Sequence, residues 1–337
     1  MPHPDRGAPP PAEHGAHARV TITWAAYAVL LGAGAAAAYG LHRALPSVPS
    51  IPLALGLGLL VSNVGVPVPG GTSRAASTVL RAGVVLLGFT LAAGDVRALG
   101  WARLTVVVAV VLMSFFGTRW LGRRLGVSGP LTLLTAAGFA ICGASAIAAL
   151  RDVVRAEDEE VTAAIGLVTL CGSLAIVVLP VLRRPLGLDA EAFGAWTGAS
   201  VHDVGQVVAT ASTAGTAALA AAVVVKLTRV LLLAPLVAGV SLVSGRTVPG
   251  RAFPIPIFVL AFLGAIALRT SGAIPESWFD TLHTVQTAVL TAALFGIGAT
   301  TRLADLRRLG PRPLLLGLLA WLLVAGVAYL GVVVTGG

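Results

Sequence analysis

The 337-residue chain is 57% hydrophobic and only 11% charged, with a net charge of +9 and a mean hydropathy of +0.93; a soluble domain, with about a quarter of its residues charged, is excluded. Its apolar runs are continuous and ~20 residues long, the length of a helix that crosses the bilayer, and they do not alternate as barrel strands do. The arginines fall in short loops and report orientation rather than a nucleic-acid partner, and Cys142 and Cys171 both lie in apolar runs, so neither a disulfide framework nor a cysteine metal site is indicated.

Residues 1–19, rich in Pro, His and Ala, read as a disordered cytoplasmic tail. An extra amino-terminal transmembrane helix follows within 20–45, its apolar core from Thr21 to Leu41 too long for a signal peptide. Further spans are expected at 51–66, 74–94, 103–121, 130–150, 161–181, 190–211, 217–243, 253–270, 282–300 and 312–334, giving about eleven helices in an all-α, polytopic bundle. With the amino terminus inside, fourteen arginines face the cytoplasm and six the other side, Arg151 and Arg155 among the six and Arg183 and Arg184 among the fourteen. The carboxyl terminus is then outside.

Sliding the chain on itself aligns Val61-Ser-Asn-Val-Gly65 with Val201-His-Asp-Val-Gly205, and Arg81-Ala-Gly-Val-Val-Leu-Leu with Lys226-Leu-Thr-Arg-Val-Leu-Leu. These matches predict two inverted five-helix repeats, 51–184 and 190–335, a transporter signature. A competing match, Asp95-Val-Arg-Ala-Leu-Gly100 with Asp305-Leu-Arg-Arg-Leu-Gly310, does not fit this alignment and reads as similar turn chemistry at the interface. In inverted-repeat carriers the site lies at mid-membrane, where discontinuous helices expose backbone groups, and the fourth helix of each half has the composition for that. Here those segments would be Ala136–Ala146 and Leu294–Thr301, both glycine-rich. A glycine packing seam is the alternative reading of either one.

A broken helix would point the N–H groups of Gly143, Ala144 and Ser145 at the midplane, where an anion suits them. Lys226 is the single lysine of the chain and lies in mid-span; Arg229 is one turn on, and Arg81 is its expected repeat mate. Against one acid, Asp203, these three cations leave the site positive. Arg81 and Arg229 could instead snorkel or pair with Asp203. His202 beside Asp203 could carry a coupling proton, with Gln206 one turn away facing the same cavity, and Asn63 is the expected repeat partner of Asp203. Gln286, Thr287 and Thr291 lie at helical spacing and could line the site, whereas Glu157-Asp-Glu-Glu160 reads as a solvated helix start.

Ala140-Ile-Cys-Gly-Ala-Ser-Ala-Ile-Ala148, Phe193-Gly-Ala-Trp-Thr-Gly-Ala-Ser-Val-His-Asp-Val-Gly-Gln206 and Val225-Lys-Leu-Thr-Arg-Val-Leu-Leu-Leu-Ala-Pro235 together resemble the YeiH-type family of sulfate exporters, over roughly residues 50 to 335. The resemblance implies a bacterial inner-membrane secondary carrier, distantly similar to bile-acid symporter and cation/proton antiporter folds. Gly205 departs from it, standing where the family pattern has alanine. The expected activity is alternating-access transport of a small anion such as sulfate or another sulfur oxyanion, with Lys226, Arg81, Arg229, Gln206, Asn63 and the Gly143–Ser145 amides binding it and His202 and Asp203 coupling it to protons. The rival is a proton- or sodium-coupled cation antiporter built on Asp203. No enzymatic activity is expected, since no nucleophile, base and orienting group cluster, and no cofactor or metal is called for. The expected partners are a small anion and the lipid bilayer, not nucleic acid, with a homo-oligomer left open.

Overall fold

The structure, a computed structural model, describes residues 14–46, 48–91, 100–245, 257–301 and 310–335. Among these it is helical throughout: α1 (His14–Ala44), α2 (Ser50–Asn63), α3 (Thr72–Gly88), α4 (Gly100–Arg124), α5 (Gly129–Ala140), α6 (Ala144–Val154), α7 (Asp158–Arg183), α8 (Ala190–Ser200), α9 (Val204–Ser212), α10 (Thr216–Leu231), α11 (Leu233–Val243), α12 (Ile257–Thr270), a 3₁₀ turn (Glu276–Trp278), α13 (Phe279–Ala299) and α14 (Pro311–Val334). Six stretches are long and apolar enough to cross a membrane: Trp24–Ala44, Arg103–Arg124, Asp158–Arg183, Thr216–Val243, Glu276–Ala299 and Pro311–Val334. The protein is a polytopic helical bundle. Residues 14–19 of the expected tail are helical, forming the start of α1; its residues 1–13, with Arg6, and Arg97, Arg246, Arg251, Arg302, Arg307, Arg308 and the Asp95–Leu99 and Asp305–Leu309 segments lie outside the described residues.

The expected fifth and seventh spans do not cross. Ile141 leaves helical geometry at φ −114°, ψ −91°, and Gly143 follows at φ 66°, ψ −124°, a conformation a side chain would resist. A straight helix over 129–154 would put its ends about 39 Å apart. Instead Ser128 Oγ donates to Glu160 Oε1 at 2.5 Å, which ties the start of α5 to the start of α7. The helices α5 and α6 are therefore the two arms of a re-entrant hairpin.

The second hairpin, α8 and α9, turns at Val201–Asp203, whose first and last residues are extended. Its direction is fixed by packing: a Cβ on Gly194 would meet Ala218 O at 2.2 Å, and one on Gly198 would meet Ala222 O at 2.3 Å. That constant spacing makes α8 and α10 parallel and in near backbone contact, the use small residues four apart serve in membranes. Both start on one face, so α9 returns to it. In consequence Arg151 and Arg155 share a face with Arg123 and Arg124, while Arg183 and Arg184 lie on the opposite one. Two arginines are exchanged for two, so the expected asymmetry between faces is unaltered.

Discontinuity at Leu294–Thr301 is not found, because α13 runs unbroken to Ala299. Its glycines form a seam instead: a Cβ on Gly298 would meet Leu55 O at 2.4 Å, and one on Gly58 of α2 would meet Phe295 O at 2.2 Å.

Two groups of helices emerge. One contains α1, α2, α3, α12 and α13, with its own small core of Leu31, Ala54, Ala76 and Phe295; the other contains α4 to α11 and α14. The main contacts between them are those of α9 against α2 and α13.

The symmetry also differs from expectation. The starts of α2, α3 and α4 recur in α12, α13 and α14 at offsets of 207, 207 and 211, while α5, α6 and α7 recur in α8, α9 and α10 at 61, 60 and 58. Gly83 opposite Leu290 and Ala76 opposite Gly296 make the mates α3 and α13 antiparallel, as inversion requires. The repeat is thus permuted, and the Asp95/Asp305 match, at an offset of 210, is the one in register with it. At these offsets Arg81 falls opposite Ala288 and Lys226 opposite Val168. The expected Arg81–Lys226 and Asn63–Asp203 pairings do not hold.

Candidate functional site

The hairpins enter from opposite faces and meet tip to tip, Gly143 lying beside the His202 carbonyl and Asp203. Each entering arm ends there with backbone carbonyls that no further turn can satisfy and with the partial negative charge of a helix carboxyl end. Lys226 and Arg229 supply the missing donors. Lys226 Nζ donates to Ile141 O at 2.5 Å and Val201 O at 2.9 Å. Arg229 Nε and Nη2 donate to Ala140 O at 3.1 and 2.6 Å, Nη2 also to Phe139 O at 2.7 Å, and Nη1 to Ala199 O at 2.6 Å, Gly198 O at 3.2 Å and Val201 O at 3.3 Å. Both side chains are wholly buried. Five guanidinium N–H groups are all engaged, whereas the ammonium retains one of its three.

The returning arms differ at their amino ends. On α9, Asp203 Oδ1 accepts from Gly205 N at 2.8 Å and Gln206 Oε1 accepts from Asp203 N at 3.3 Å, a reciprocal cap. On α6 no side chain caps the helix, and Ala144 and Ser145 are exposed. Gln206 is also tied to α7 through Nε2 and Thr169 O at 3.2 Å, so its role here is to brace the hairpin. His202 is wholly buried, its ring 4.1 Å from that of Phe139 between centroids, and its nitrogens make no well-formed hydrogen bond. Among the described residues the ion pairs are Arg103–Glu191 and Arg151–Asp158, so Asp203 is held by amides and not by a cation.

The tips bring together Gly143, Ala144, Ser145, His202, Asp203, Gln206, Lys226 and Arg229. Two expected residues are not among them. Arg81 is exposed on α3 with its guanidinium 5.7 Å from the centre of the Phe258 ring, within electrostatic range of Asp203 only. Asn63 ends α2 and donates to Leu59 O at 2.8 Å and Thr301 O at 3.2 Å.

A cavity of about 780 Å³ opens on the face where α8 and α10 begin, between the two helix groups. Ser50, Gln286 and Thr287 line one wall and Thr216 and Val225 the other, so its lining reaches the residue next to Lys226. Gln286, within that lining, is 2% exposed, and its Oε1 is a buried acceptor without a partner among the described residues. Thr291, expected beside it, instead bonds Thr287 O at 2.7 Å and Ser50 Oγ at 3.3 Å within the packed group. Arg103 and Glu191, which also line the cavity, pair at 2.9 Å across 88 residues of sequence, a contact no local signal announces.

Comparison with known proteins places the chain in a family. The family model described as Conserved hypothetical protein 698 matches residues 26–317. The chain is similar to UPF0324 membrane proteins from Corynebacterium glutamicum (38% identical, covering 84% of both chains), Geobacter sulfurreducens (34%, covering 82% of this chain and 87% of the relative) and Yersinia pestis (33%, covering 82% and 83%). The YeiH-type resemblance fits these matches. No solved structure matches the chain.

Proposed function

Since the chain belongs to the UPF0324 membrane protein family, described as Conserved hypothetical protein 698, we propose that it is a secondary transporter, not an enzyme, that moves a small anion by alternating access. Sulfate or another sulfur oxyanion is the substrate class. The observation that carries this reading is the charge balance at the hairpin tips. Lys226 and Arg229 bring +2, the carboxyl ends of α5 and α8 about −1 together, Asp203 −1 and the amino ends of α6 and α9 about +1 together, which leaves about +1 around two wholly buried cations. An anion neutralises it.

In this reading the anion descends the cavity past Gln286 and is held by the uncapped amides of Ala144 and Ser145 and by the third N–H of Lys226. Arg229 positions the tips. A proton on Asp203 would raise the balance to about +2, so proton and anion would favour each other's binding and be carried together, with His202 adjacent as relay. The arginine asymmetry supports a cytoplasmic amino terminus in a bacterial inner membrane.

The test is a thermal-shift screen of the purified protein against sulfate, sulfite, taurine, phosphate and carboxylates, followed by uptake into proteoliposomes at several pH values. One anion should stabilise the protein, and Lys226→Gln should abolish that shift. One observation favours the rival reading: both buried cations are engaged with carbonyls, so a cation carrier using Asp203 as ligand is chemically open. Transport that survives Lys226→Gln and is lost in Asp203→Asn would decide for the cation.

A further inference from the structure

A second cavity, of about 410 Å³, lies wholly within the larger helix group, between α4 and α11 with Leu133 of α5 behind it. It exists because of what α11 lacks. The continuous helix is interrupted at Leu232, Pro235 follows, and one turn further Gly239 presents no side chain; a Cβ placed there would meet nothing within 4 Å. The opposite wall is the apolar face of α4, where Leu112 is 47% and Phe116 58% exposed. In a membrane protein such a surface faces lipid.

Among the described residues that line it, polar groups occur at one end alone. Arg119 and Ser244 line the groove near the carboxyl ends of α4 and α11, on the face that also carries Arg123 and Arg124. Arg119 is half-buried and has no carboxylate partner among the described residues. From Val108 to Arg119 the helix rises about 16 Å, close to half the ~30 Å hydrocarbon thickness. The groove therefore has the length of one leaflet, an apolar body, and a cation at the depth of the headgroups.

We propose that it is a binding site for an anionic phospholipid, with an acyl chain between Phe116 and Gly239 and the phosphate on Arg119. The apolar walls alone would accept any chain, and the arginine selects charge. A second copy of the protein fits less well. The helices α4 and α11 contain no acidic residue, so a two-fold contact through this groove would bring Arg119 and its neighbours against cations of the same kind.

The experiment takes the full chain in neutral detergent, stripped of lipid, and reads bound phosphatidylglycerol and phosphatidylcholine by native mass spectrometry. Phosphatidylglycerol should be retained in preference. Gly239→Leu, which fills the groove, should lose it; Arg119→Gln should lose about five-fold in preference for the anionic lipid, with thermal unfolding in lipid-free detergent unaltered in both. Wild-type retention of phosphatidylglycerol in both variants would overturn the assignment. So would a dimer that dissociates on Gly239→Leu while bound lipid stays constant, since the groove would then belong to a second copy.

Discussion

Replacing Arg229 by methionine keeps most of the side chain's length and removes every donor. Six hydrogen bonds to five carbonyls, on Phe139, Ala140, Gly198, Ala199 and Val201, disappear together. Each buried acceptor left without a donor costs on the order of 1–3 kcal/mol, but carbonyls at a helix end can bend toward water or share a neighbour's donor, so the sum is an overestimate. The measured cost of breaking a buried charged interaction from one side, about 3–5 kcal/mol, is the better guide. Arg229→Lys retains the charge and three donors, and should fall between the two. Unfolding in mixed micelles with increasing dodecyl sulfate, followed by tryptophan fluorescence in a background that keeps Trp196 and replaces the other five tryptophans by phenylalanine, reads the loss; Trp196 lies on α8, with Nε1 donating to Ala325 O at 2.9 Å. A methionine variant within 1 kcal/mol of wild type would refute the idea that this arginine holds the tips.

Gly198→Ala should destabilise by about 1–3 kcal/mol in the same assay, because the added methyl would sit 2.3 Å from Ala222 O; Gly239→Ala, with open space around it, should be near neutral or mildly stabilising. Cysteines placed at Arg155 and Arg184 in a background without Cys142 and Cys171 should react with an impermeant maleimide from opposite faces, with Arg155→Cys on the face of Arg123; labelling of Arg155→Cys together with Arg103→Cys from one side would contradict the first hairpin. Gln286→Cys should be labelled from the face where α8 begins and from no other, and complete protection from both faces would remove the cavity from the transport path.

Much of this was legible in the residues. Continuous apolar runs announce helices, and Gly143 in a small-residue stretch announces the first break. The group Lys226, Arg229, His202 and Asp203 stood out because ionisable side chains in hydrocarbon need a reason. What composition could not carry is direction. A re-entrant hairpin of 26 residues has the length and apolarity of a crossing helix, and the contact that distinguishes them, Ser128 with Glu160, joins two helix starts 32 residues apart. The same limit misplaced the second break: Gly296 and Gly298 are as permissive as Gly143, yet they meet α1 and α2 closely and stay helical, whereas Val201–Asp203, with no glycine, turns because Asp203 caps the next helix. With two hairpins read as crossing spans, the repeat aligns only in simple order, and the match of Asp95 with Asp305 has no place in it.

Arg229 grips hairpins that entered the bilayer from opposite directions, and it does so from one helix with one planar group. The two loops are consequently riveted into a single piece. In the proposed transporter, prising the tips apart would strip the guanidinium of its acceptors in hydrocarbon, so an opening motion would run around that piece, along the sparse seam where α9 touches α2 and α13.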